Sequence, residues 1–124
     1  MTFPQPERRR FPRLPIPMAL VYRAQGASSA VHSLLRDTSI GGARIFTDRQ
    51  LPVGMAVEIE IPCPGAERPV WCKTEVVWSG QLIQDSMRPA PFPFESGVRF
   101  VRISAEDLQR LIDAAASGMQ GSGA

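Results

Sequence analysis

A chain of 124 residues, 44% apolar and 21% charged, is sized for one globular domain with a hydrophobic core and leaves no room for a second. It holds no run of about 18 apolar residues and no apolar leader stretch, so neither a membrane span nor export is expected, and the cytosol is the expected compartment. With 12 Pro and 10 Gly the chain is interrupted too often for a helical bundle, and short strands joined by turns are expected.

Residues 1–17 mix Pro4, Pro6, Pro12, Pro15 and Pro17 with arginines, which blocks both helix and central strand and predicts an extended, flexible arm. Met18, Leu20 and Tyr22 then alternate with Ala19, Val21 and Arg23, a first strand that ends in the turn residues Gln25 to Ser29. Val31 to Asp37 and Ala43 to Thr47 read as two strands joined by the tight segment Thr38-Ser39-Ile40-Gly41-Gly42. His32 is an ordinary strand residue in this reading.

After a turn around Pro52, Met55, Val57, Ile59 and Ile61 alternate with Ala56, Glu58 and Glu60, so one face of a strand is apolar. Residues 62–69 form a loop, and Val70, Cys72, Thr74, Val76 and Trp78 alternate as a long partner strand whose pattern favours the core for Trp78. The stretch 79–95, with Pro89, Pro91 and Pro93, shows no period and predicts a long excursion. Gly97 to Arg102 is the last strand. Ser104 followed by Asp107, with Leu108, Leu111, Ile112 and Ala115 at helical spacing, predicts one amphipathic helix that stops near Gly118. Residues 18–116 are therefore expected to be a small six-stranded antiparallel β-barrel with a C-terminal α-helix, a mainly β fold, and 117–124 a disordered tail.

Net charge is +2, yet residues 1–23 hold Arg8, Arg9, Arg10, Arg13 and Arg23 against Glu7 alone. Of 14 basic residues only Lys73 is lysine. A guanidinium presents a planar fork that pairs with phosphate or with the O6/N7 edge of guanine, about 1–3 kcal/mol for a good pairing. Arg9 and Arg13 have RxxxR spacing, and Pro12 keeps the run from being helical. A solvated basic arm would share this composition. The second cluster, Asp37-Thr38-Ser39-Ile40-Gly41-Gly42, has the form D-x-S-x-x-G between two strands. It reads either as a hairpin connection capped by Asp37 and Ser39, with glycines adopting positive φ, or as a site in which the carboxylate accepts from a guanine edge and Ser39 with backbone amides holds phosphate.

An RxxxR arm before the first strand, D-x-S-x-x-G some two dozen residues on, and Gly97-Val98-Arg99-Phe100 on the last strand resemble the PilZ family of bacterial cyclic di-GMP receptors over about residues 7–116. The resemblance implies a six-stranded barrel that binds the dinucleotide on its outer surface beside the arm. It implies as ligand-binding residues Arg8, Arg9, Arg13, Asp37, Ser39 and Gly42, with Arg10, Gly41, Arg44, Trp78 and Gly97 as further candidates. Arg8, directly before the pair, implies two ligand molecules per chain. The function expected is a cyclic di-GMP receptor or adaptor that changes conformation and signals to an unidentified effector protein.

No catalytic group is expected: the single His and Cys63 and Cys72 lack partners at any recognisable spacing, and no metal quartet can be written. No cofactor and no membrane partner are expected, and both thiols are expected free. A non-specific nucleic-acid-binding barrel would suit the basic arm, but two Trp, one Tyr and six Phe form no paired stacking platform on the strands, so no polymer is expected. A ligand-independent interaction adaptor is the remaining alternative, against which the intact arginine motif stands.

Overall fold

The computed structural model describes residues 18–63, 66–83 and 92–123, with helix side chains described as far as Ala116. The expected arm of residues 1–17 and the centre of the expected excursion, residues 84–91, lie outside the described residues. Six strands are followed by one helix: β1 Met18–Ala24, β2 Val31–Thr38, β3 Gly42–Thr47, β4 Ala56–Ile61, β5 Val70–Gln81, β6 Phe94–Ile103 and α1 Ala105–Gly123. All pairings are antiparallel, and the order β1-β2-β3-β6-β5-β4 closes on itself through β1 and β4, so no strand is left with an open edge.

Alternation decides the interior. Leu20 and Tyr22, Leu35, Ile45, Val57 with Ile59 and Ile61, Val70 with Cys72 and Val76, and Val98 all point inward and are almost fully buried, each contributing about 1.5–3 kcal/mol relative to exposure. Leu111 of α1 caps this core, as the helical spacing predicts. The Ser104 hydroxyl accepts from Asp107 N–H at 3.0 Å, which is one half of the expected capping box. The Asp107 carboxylate does not return the bond; it reaches the Trp71 N–H of β5 at 3.2 Å and ties the helix to the barrel.

Three boundaries differ by more than one residue from the sequence reading. β5 runs on to Gln81 and β6 begins at Phe94, so Ser79, Gly80 and Gln81 pair with Ser96, Glu95 and Phe94 where a loop was expected. The polar residues there are satisfied internally: Ser96 Oγ lies 2.8 Å from Ser79 Oγ and 3.2 Å from Thr47 Oγ1, and Ser79 Oγ accepts from Leu51 N–H at 3.0 Å. A buried hydroxyl cluster carries no hydrophobic period, which hides these turns of strand from pattern reading. The helix also continues past Gly118 to Gly123. A glycine costs about 1 kcal/mol inside a helix, and Gly118 follows Ala114, Ala115 and Ala116, which favour propagation. Cys63 and Cys72 are free thiols.

Candidate ligand-binding face

The outer surface of β2, β3, β6 and β5 carries one continuous row of residues. Asp37 is opposite Arg44, Arg44 is opposite Gly97, and Gly97 is opposite Trp78, so four predicted site residues from four strands lie side by side across the sheet. Strict alternation would not place them there. Leu35 points into the core, and two residues later Asp37 would do the same; a bulge between Leu35 and Asp37 sets two β2 residues against one β3 step and turns Asp37 outward. On β5, Val76 is buried and Trp78 would follow it inward, but a second bulge between Val76 and Trp78 reverses the face. The expectation that Trp78 packs in the core is thus overturned: it is 41% exposed. Its indole covers Gly97, where an added Cβ would overlap the ring.

Arg44 donates to Asp37 through Nε, at 3.0 Å to Oδ1, and through Nη2 to Oδ2, a bidentate pair. The bond to Asp37 raises the Arg44 pKa further above its ordinary value despite partial burial, and Glu95 adds to the effect, so the cation is permanent. Behind the row, Arg36 Nη1 donates to Glu95 Oε2 at 2.6 Å, with the Glu95 side chain only 9% exposed. Phe46 is the outward neighbour of Glu95 and stacks on Phe92 at a centroid distance of 6.1 Å, which closes this flank with apolar surface.

The other flank is the β2–β3 hairpin. Ser39 N–H donates to Gly42 O at 2.8 Å and Thr38 Oγ1 to the same oxygen at 3.2 Å, while the exposed Ser39 hydroxyl stands 3.5 Å from it. The hairpin tip is fastened to β6 by Phe100 N–H donating to Gly41 O at 2.9 Å. The two glycines do not serve the conformational role expected of them, because among the described residues positive φ occurs only at Gly26 and Gly54. Gly42 is needed for closeness: a Cβ there would overlap the carbonyl oxygen of Val98 on β6.

Of the predicted residues, Asp37, Arg44, Gly97 and Trp78 therefore share a row, and Ser39, Gly41 and Gly42 form its rim. Arg8, Arg9, Arg10 and Arg13 lie outside the described residues. Arg36, Glu95, Glu75 and Arg99 were not singled out from sequence; the outward alternation of β6 was the signal available for Arg99, whereas Glu95 was hidden in the stretch without a period. Among the described residues no cluster of His, Cys, Asp and Glu is suited to a metal ion, and no helix is long and apolar enough to cross a membrane.

A family model for the PilZ domain matches residues 7–117. No curated protein is a significant sequence match to the chain. Among solved structures, the chain is similar to the PilZ domain of YcgR from Escherichia coli with c-di-GMP, at 19% identity and TM-score 0.65, with 94% of this chain and 98% of that one covered. It is also similar to the inhibitor of motility MotI/DgrA from Bacillus subtilis, at 16% identity and TM-score 0.64, covering 92% of this chain but 52% of that one, so it spans about half the length of the inhibitor. The PilZ domain of CeSA from a cellulose-synthesising bacterium aligns at 14% identity and TM-score 0.54, with 85% and 95% covered. These likenesses show the fold.

Proposed function

The chain belongs to the PilZ domain family, and from that membership together with the outward row Asp37-Arg44-Gly97-Trp78 we propose that it is a non-enzymatic receptor for cyclic di-GMP. The observation that carries the reading is the pair of bulges, which bring a carboxylate, a guanidinium and an indole to one exposed surface next to a D-x-S-x-x-G hairpin. Each meets a different part of a guanine dinucleotide. Asp37 accepts from the N1–H and N2–H edge, Trp78 offers a face on which a base stacks at about 1–3 kcal/mol, and Arg44 and Ser39 donate to phosphate or carbonyl oxygen. YcgR, similar in fold, was solved with c-di-GMP.

Arg8, Arg9, Arg10 and Arg13 repel one another in the absence of an anion, and the two phosphates of each dinucleotide draw them onto the barrel. Ligand plus arm then form a surface that an effector protein reads, in the cytosol. Arg8 directs binding of two ligand molecules per chain. Calorimetric titration with cyclic di-GMP tests the reading: the expected result is saturable binding near two equivalents, lost on Arg9→Ala or Arg13→Ala with an unchanged melting temperature. A ratio of one removes the two-ligand statement alone, undiminished binding in both variants removes the arginine pair from the site, and absence of binding by the unmodified chain removes the receptor assignment. Amide hydrogen exchange over residues 1–17 is expected to slow when ligand is added, and equal exchange with and without it excludes the arm as the signalling element.

A further inference from the structure

One cation on this face is held differently from the others. Arg99 lies directly opposite Gly42 on one side and Glu75 on the other, one step along the strands from the Asp37-Arg44-Gly97-Trp78 row. Gly42 has no side chain, so Arg99 has no side-chain neighbour directly across from it on β3. The backbone beside it is anchored, because the next residue, Phe100, donates its N–H to Gly41 O. Arg99 Nη2 is paired with Glu75 Oε1.

Among the described residues, the three ion pairs on this face differ in how readily they part. Arg44 grips Asp37 through two nitrogens, so that pair parts only by giving up two bonds, and Arg36 holds a Glu95 carboxylate that is almost buried, so that separating them strands a poorly solvated charge. The Arg99 and Glu75 side chains are 57% and 34% exposed, and their contact is a single one. Water takes over each charge when such a pair opens, and exposed pairs of this kind are worth little. A phosphate offers Arg99 a doubly bonded, charge-assisted alternative that a lone carboxylate contact does not match.

We propose that Arg99 is a further phosphate-binding residue of this site, and that Glu75 is a resident anion which competes with the ligand for it. The proposal rests on the cyclic di-GMP receptor reading and adds to it a residue and a tuning element: Glu75 weakens binding by occupying the guanidinium that the phosphate needs. The competition has a signature that simple charge removal lacks. Losing Glu75 helps only when Arg99 is present to be released.

The test is a double-mutant cycle on the full chain, titrated with cyclic di-GMP: the unmodified protein, Arg99→Met, Glu75→Gln, and both together. Arg99→Met is expected to weaken binding roughly tenfold or more, the worth of a hydrogen bond to a charged group, and to flatten the dependence of affinity on salt. Glu75→Gln is expected to tighten binding several-fold, and the double variant to match Arg99→Met. Melting temperatures should stay together, since the pair is exposed. Affinity unaffected by Arg99→Met overturns the proposal, as does a Glu75→Gln gain that persists without Arg99, because a gain of that kind is only reduced repulsion. Binding by none of the four chains removes the receptor reading itself, whereas binding by all four with equal affinity removes this inference alone.

Discussion

Asp107 and Asp37 are both carboxylates clamped by arginine, at opposite ends of the design. Asp107 is 4% exposed and accepts from Ser104-capped helix, strand and loop together: Arg110 Nη1 at 2.9 Å, Arg68 Nη1 at 3.1 Å and Trp71 N–H at 3.2 Å. Burial alone would raise its pKa, but the bonds from Trp71, Arg110 and Arg68 outweigh it and hold the carboxyl below its ordinary value. Asp37 is only half-buried on the outer face, where Arg44 of the neighbouring strand donates to it. The first arrangement uses ionic bonds to dock a helix, and the second joins two neighbouring strands on the outer face of the barrel. Burial, not residue type, separates the carboxylate that docks a helix from the one on the outer face of the barrel.

The largest expected effect comes from breaking the buried member. Asp107→Ala leaves the Arg110 guanidinium and the Trp71 N–H without their buried acceptor and takes one partner from Arg68, and should lower unfolding free energy by about 3 kcal/mol in urea denaturation while leaving cyclic di-GMP affinity within about twofold. Asp37→Ala inverts that pattern. It should reduce affinity by about 1.5–3 kcal/mol in calorimetry and stability by less than about 1 kcal/mol, and comparable losses of stability in the two variants would abolish the distinction drawn here.

Gly97→Ala probes the site without touching either carboxylate. The added methyl displaces the Trp78 indole from its seat, and because Trp78 is already half in solvent the expected outcome is a loss of about 1 kcal/mol in ligand affinity, with quenching of the tryptophan signal on binding reduced. The finest separation is by pH. A carboxyl whose folded pKa is lowered stabilises above its unfolded value, 3.8, and that stability disappears as pH falls through the folded value; Asp107→Asn should remove this acid-sensitive part of the unfolding free energy. At the alkaline end, burial and the bond to Asp48 push Tyr22 to about 12, and burial pushes Cys72 to about 12. Their stabilisation is complete below their ordinary values of 10.0 and 9.0 and is lost as pH rises towards 12, an effect to be followed by tyrosinate absorbance during alkaline unfolding.

Much of the fold was open to pattern reading because it depends on local rules. The period of two in β4 and the first half of β5 follows from side chains that must alternate between core and water, and the spacing of Leu108, Leu111 and Ala115 from a helix that covers the same core. What escaped was wherever a polar residue is satisfied by something distant. Ser79 and Ser96 belong to strands because their hydroxyls bond each other and Thr47 inside the barrel, and Asp107 departs from its capping box because Trp71 and two arginines claim its carboxylate. No local period encodes such partnerships.

The sequence by itself determined the chemistry available: a guanidinium-rich stretch at residues 8–13, a D-x-S-x-x-G connection between strands, an apolar alternation able to close a six-stranded barrel, and membership of the PilZ family. Tertiary structure alone decided which of those residues meet. The bulges before Asp37 and Trp78 exist because β2 must stay in register with β3, and β5 with β6, around a closed barrel, and each bulge moves one side chain from the inner face to the outer. Gly42 is required by how near β3 lies to Val98, and Gly97 by the indole above it, rather than by any backbone angle of their own. Register is a property of pairs of strands, so the row that joins Asp37, Arg44, Gly97 and Trp78 is set only when the barrel closes.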